Sequence, residues 1–278
     1  MSRRERCVLG RRLRGRELFM VDARPSPRSL KRLATLLLWL GALAYISTIG
    51  EAIVGWPFDI HDSYLSELAA RQYPRSWLFR LTDLLSGVAI FSGTPLFVRQ
   101  AGFQAGLRRK SASIEQGKGA LRAGWGSFCL FRRALATGLS IFALATIIDS
   151  TVTPLDCALS LPECREQIEA GEAGRYEWMH DASSVAVGVG TVTVACSLIL
   201  IVLFRHRARY SLGMRIAASS LAASVVLLVG FLTGAELLGA GPVGVVQRIQ
   251  VSLTGVLIAF APAGFDPEGA FAVRRRRE

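Results

Sequence analysis

Apolar positions along this chain fall in long unbroken runs, not at every second residue or on one helical stripe. Leu33–Gly50 has eighteen residues without a charge, Ala182–Phe204 twenty-three, Ile216–Ala235 twenty and Ile249–Phe265 seventeen. Two shorter runs, Leu84–Val98 and Ala134–Ile148, have fifteen each. Charged residues at their ends can lengthen them by stretching toward the interface. A bilayer core takes roughly 20 helical residues, range about 17–25. Backbone polar groups at that depth must be satisfied inside helices. The pattern therefore predicts an all-α integral membrane bundle of six transmembrane helices, over 33–265. A basic segment, 1–32, precedes it and reads as disordered, and a basic tail, 266–278, follows.

The first run has a basic lead but exceeds the usual 7–15-residue core of a signal peptide and lacks a small-x-small cleavage site. It reads as a retained helix. Met20 offers a second start, which would make residues 1–19 an extension.

Composition changes the picture only through charge. The chain has 278 residues and a net charge of +12, with a mean hydropathy of +0.37. Twenty-seven of the 33 Lys and Arg lie in the N-terminal segment, the 2–3 and 4–5 connections and the tail. Fourteen of the 21 acids lie in the other three connections or at the helix ends beside them. Positive charge collects on the cytoplasmic side, so both termini are expected there, in the plasma (inner) membrane. The basic residues flank spans and form no binding domain, which argues for anionic lipid as the partner and against nucleic acid. The 2–3 connection is glycine-rich and reads as a mobile loop.

The 3–4 connection, 150–179, is then extracytoplasmic. Cys157 and Cys164 could close a small disulfide loop there, though spacing alone also fits two unrelated thiols. Cys129 and Cys196 read as small apolar residues of the spans, and Cys7 as cytoplasmic.

Ionisable and polar residues gather at the same outer face. In the 1–2 connection, Asp62 or Ser63 can cap a short helix bearing Leu65, Leu68 and Ala69, at the interface with Trp56 and Trp77. Ser66 and Glu67 lie on it and read equally as a solvated face. Asp83 follows Trp77 by about one and a half turns, some 7–9 Å inside helix two. A carboxylate at that depth needs a partner or a wet cavity, and Arg248 is an available partner. Asp149 ends helix three and Glu236 helix five. His180, Asp181, Ser183 and Ser184 open helix four, with His180 and Ser184 on one face, and Gln247 and Arg248 begin helix six. The set predicts an outward-facing polar pocket: His180 as base, Asp83 and Asp149 as orienters or ligands, Ser66 and Glu67 beside them. Arg248, with Gln247 and Ser184, would bind an anionic headgroup.

Metal content stays unknown at this level. A catalytic zinc takes three protein ligands, and only His61 and His180 are outside, so an acid would have to be the third. No other cofactor signature is present, and no Gly-x-Ser-x-Gly elbow marks a serine nucleophile. Gly188 and Gly190 read as close helix packing.

Five segments carry a resemblance: "HDSYLSELAA", "RLTDLLSG", "IIDSTVTPLDC", "MHDASS" and "QRIQ". Their order across 33–265 resembles the bacterial and archaeal membrane proteins of the domain of unknown function 998 family. The resemblance implies a bundle of about six helices and no settled activity, and it singles out Ser66, Glu67, Asp83, Asp149, His180 and Arg248. That family is distantly similar to alkaline-ceramidase-like and lipid-remodelling membrane proteins, whose hydrolases hold a metal with histidines. Their His-x-x-x-His pair is missing here. The reading is a membrane protein that binds a lipid-like substrate, with its hydrolysis as the expected reaction. Its rivals are a non-catalytic scaffold or partner subunit, and a small-solute transporter, which lacks an evident midplane site.

Overall fold

The computed structural model describes residues 26–114, 122–172, 174, 177–205, 212–238 and 243–265. The basic N-terminal segment up to residue 25, the tail from 266, Cys7 and the side chains of Cys129 and Glu236 lie outside the described residues. Among those described there is no strand. The helices are α1 (Pro27–Tyr45), α2 (Ser47–Val54), α3 (Ser76–Ile114), α4 (Arg122–Thr151), α5 (Pro162–Glu169), α6 (Glu177–Leu200), α7 (Leu212–Leu238) and α8 (Val243–Phe265). A 3-10 turn spans Leu65–Ala69, and a π segment, Ile201–Arg205, continues α6.

Five helices are long and apolar enough to cross a membrane, and α1 and α2, bent by 44° at their junction, pass the same test only as a pair, for five to six candidate spans. The predicted runs sit inside these spans, but two extend well beyond their runs, to Ser76–Arg99 and Leu130–Thr151. The 2–3 connection is mostly helix, with α3 reaching Ile114 and α4 starting at Arg122. Its six glycines are outnumbered by Ala, Leu, Arg, Lys and Gln, which favour helix.

The spans form a ring in chain order, and α8 closes it by packing on both α1 and α7 while also reaching α3, α4 and α6. Lipid tails are as apolar as leucine, so such helices associate by close packing and not by escape from water. At Gly190 an added Cβ would stand 2.7 Å from Phe142 N and 2.9 Å from Gly138 O, so α4 and α6 touch backbone to backbone. Leu40, Leu43, Leu85, Val185, Leu227 and Phe231 face outward, where they meet acyl chains. Most hydroxyls within the spans, including those of Thr94, Thr146 and Thr191, donate to carbonyls of their own helix. This is how a lone hydroxyl is satisfied in hydrocarbon.

The bend at Ile46 (φ −76°, ψ 67°) involves no proline. It lies where α8 presses on the first span: a Cβ on Gly255 would meet Ala42 O at 3.0 Å. Beyond it, Thr48 Oγ1 and Ser252 Oγ are 3.0 Å apart, and α2 carries Glu51 toward α8.

Candidate functional site

Two sets of polar side chains occupy the end of the bundle that holds the 1–2 and 3–4 connections. The first ties connections to helices. Glu51 is 0% exposed, and Arg248 faces it bidentately, Nε to Oε2 at 2.7 Å and Nη2 to Oε1 at 2.5 Å. Arg248 Nη1 donates to the carbonyls of Ser63 (2.8 Å) and Ile60 (3.3 Å). Leu65 N donates to Gln247 Oε1 at 2.5 Å, and Gly244 N to His61 O at 3.1 Å. The start of α8 thus pins residues 60–65 by their backbone. Each buried charge is compensated, as burial demands.

Glu67 makes the matching staple between the two connections. Its carboxylate accepts from Ser160 Oγ, from Ser160 N at 3.3 Å and from Tyr64 N at 3.3 Å. Burial pushes the Glu67 carboxyl above its ordinary value, against the Ser160 and Tyr64 hydrogen bonds that favour its charged form. Beside it, Arg71 N donates to Leu155 O (2.8 Å) and Gln72 N to Asp156 O (3.1 Å). Cys157 and Cys164 are disulfide-bonded with Cα atoms 5.6 Å apart, closing the loop that presents Ser160.

These contacts revise three expectations. The short 1–2 helix exists, but neither Asp62 nor Ser63 caps it by its side chain: Glu67 reaches back to Tyr64 N, and the Ser63 hydroxyl donates to Asp59 O. Leu65 and Leu68 do not lie at the interface; they are buried with Phe79 and Val251, while Trp56 and Trp77 are exposed. Arg248 does not partner Asp83, because Glu51 and two carbonyls already engage all three of its nitrogens.

The second set lies where α4 meets α6, with α3 on the other side of α4. His180 Nδ1 is 2.7 Å from Asp149 Oδ1. The approach falls short of a well-directed hydrogen bond. Ser183 Oγ donates to the same oxygen at 2.6 Å, and Thr153 Oγ1 at 3.2 Å. One carboxylate oxygen on α4 therefore gathers three groups, two from α6 and one from the turn after α4. Asp83 lies within electrostatic range of Asp149, and Tyr45 within range of both carboxylates. Tyr45 is held by an edge-on ring contact with Phe142, centroids 4.8 Å apart. Arg80 Nε binds Ser150 O at 3.1 Å, fixing the end of α4 against α3. Among the described residues, Asp83 has no hydrogen-bond or ion-pair partner.

Of the residues singled out in the sequence, Asp149 and His180 come together, and Asp83 lies within electrostatic range of Asp149. Glu67, Gln247 and Arg248 serve the loops. Ser66 is half-buried beside Glu67, and Ser184 is exposed. Ser183, one position earlier, takes the inward place. His61 is exposed, and among the described residues no three His, Cys, Asp or Glu side chains are set to hold a metal ion. Sequence reasoning missed Glu51 and Tyr45. Glu51 carried the signal that marked Asp149, an acid directly closing an apolar run; Tyr45, a tyrosine inside such a run, had no comparable mark.

This architecture defines a multi-pass helical membrane protein with an acid–histidine cluster at one end of the bundle. The chain belongs to the family described as Protein of unknown function (DUF998), whose model matches residues 38–263. Neither the curated proteins nor the solved structures give a match.

Proposed function

We propose that the Asp83–Asp149–His180 cluster binds a lipid-like substrate and hydrolyses it with water, in a plasma membrane and facing outward. His180 is the general base, held by Asp149 through Nδ1 so that Nε2 takes the proton from water. Asp149 orients it and stabilises the imidazolium, and Ser183 and Thr153 hold that carboxylate in place. Asp83, unpaired and inside the span, is the second carboxylate, available to the reacting bond. The Ser183 hydroxyl is engaged by Asp149 and by the backbone carbonyl of His180, not by the His180 imidazole, so water is the better candidate for nucleophile. Arg248 could meet a headgroup only by giving up Glu51, and it has no role in this reading. The observation that carries the proposal is the convergence of His180, Ser183 and Thr153 on a single oxygen of Asp149.

The scaffold reading draws on a different observation: Glu51–Arg248 and Glu67–Ser160 are both spent on holding the fold together. Complementation separates the two. In a deletion strain, the wild-type gene should restore the membrane lipid profile, whereas Asp149→Asn, His180→Ala and Asp83→Asn should not, at equal abundance of the protein. Full restoration by these variants would leave a scaffold.

A further inference from the structure

Arg80 stands about one helical turn outward of Asp83 on α3, and Trp77 about one turn further out. At this spacing the three run along one side of the helix, with about 4.5 Å of rise from each to the next. Trp77 is 59% exposed, and an exposed tryptophan at a span end favours the headgroup level. Leu81 and Leu85 are exposed as well. A lipid can therefore meet this edge of the bundle from the bilayer itself, without entering an enclosed cavity.

Arg80 is half-buried, and its Nε donates at 3.1 Å to Ser150 O, the carbonyl that follows Asp149. Its Nη1 and Nη2 have no partner among the described residues. At the same end of the bundle, Arg71 and Arg248 are each engaged by an acid, Asp156 and Glu51. Arg80 is thus held through one nitrogen while two stay open, and a guanidinium with open terminal nitrogens is suited to phosphate oxygens.

We propose that the substrate is a phospholipid, its phosphate on Arg80 and one acyl ester over the Asp149–His180 pair. The inference rests on the hydrolytic reading of that pair and adds the class of lipid and the bond cleaved. Asp83 lies inward of Arg80, and Asp149 precedes the carbonyl that Arg80 holds. The acyl esters of a phospholipid also lie inward of its phosphate, so His180 meets an ester and not the phosphodiester. Water adds to the ester carbonyl carbon as His180 Nε2 takes its proton. The bond from that carbon to the glycerol oxygen then breaks, and the oxygen leaves with the proton returned by the imidazolium. The products are a fatty acid and a lysophospholipid.

The test gives the purified full chain two lipids with the same acyl chains, dioleoylphosphatidylglycerol and dioleoylglycerol, in mixed micelles, with products read by mass spectrometry. Wild type should release oleate and the lysolipid, with kcat/KM roughly tenfold or more higher for the phospholipid. Arg80→Gln should remove that preference through KM and keep its turnover of dioleoylglycerol, which also reports that it folds. Arg75→Gln, exposed on the same connection, should change neither. Excess inorganic phosphate should leave the preference intact; its loss would make Arg80 a site for free phosphate and overturn the proposal. Equal cleavage of the two lipids by wild type, or an unchanged preference in Arg80→Gln, would overturn the phosphate site and leave the hydrolase standing. Release of dioleoylglycerol from the phospholipid would overturn the choice of bond. No hydrolysis of either lipid, by wild type as by Asp149→Asn, would remove the hydrolytic reading and this inference with it. The wild-type ratio decides the matter if Arg80→Gln does not fold.

Discussion

Glu51 and Arg248 are 197 residues apart in the chain, and each looks expendable on its own line of sequence. Together they make a bidentate ion pair with no exposure on the acid side. The sequence marks Arg248 as unusual, since a charge inside a span needs a partner. It cannot say which acid supplies one, because the choice depends on a bend at Ile46 that no residue type announces. Asp149 and His180 were readable for a simpler reason: both sit at span ends beside one connection, so topology alone brings them near. Removing one member of a buried pair strands the other, at a cost of about 3–5 kcal/mol. Arg248→Ala should therefore unfold at a markedly lower temperature in detergent, and Glu51→Ala likewise. The double variant should lose less than the two single losses combined, because no charge is stranded. An unchanged midpoint in Arg248→Ala would mean that the loops are held by something else.

Helices were the most legible level, and their ends the least. Ala134–Ile148 is a fair core for a span that runs Leu130–Thr151, because hydrocarbon depth selects apolar sequence and little else does. Asp83 reads as lying inside its helix, and α3 does continue outward through Asp83 and Arg80 to Ser76, with Arg80 reaching Ser150 O. Glycine in a span was rightly read as close packing, but only the structure separates Gly190, jammed against Phe142 and Gly138, from Gly188, whose nearest neighbour is the flexible Val229 side chain at 3.6 Å. The distinction is testable. Gly190→Ala places a carbon against backbone that cannot yield without separating α4 from α6, and overpacking of this kind costs about 1–3 kcal/mol. Gly230→Ala, with nothing within 4 Å, should be neutral or slightly stabilising, as alanine is the better helix former. Thermal unfolding of the two variants side by side reads the difference. Equal midpoints would show that the α4–α6 contact is loose.

At the scale of the whole molecule, the two ends of the bundle are chemically unlike, and this asymmetry governs which way it sits. One end carries the disulfide, the stapled connections and the acids. The other carries Arg215 and the helical extensions of α3 and α4, rich in Lys and Arg. Six spans return the chain to the side from which it started, and basic flanks are retained on the cytoplasmic side because moving them across is unfavourable. A disulfide-closed loop suits an oxidising compartment, so both arguments predict the same orientation, in which Glu166 is expected outside and Ala112 inside. Glu166 is exposed on α5, and Ala112 lies on the extension of α3. With Cys7, Cys129 and Cys196 replaced by serine, Glu166→Cys should react with a membrane-impermeant maleimide on intact cells. Ala112→Cys should react only once the membrane is opened. The reverse pattern would put the Asp149 cluster toward the cytosol, where a reducing milieu works against the Cys157–Cys164 bond that presents Ser160 to Glu67, and the outward-facing hydrolase would lose its setting.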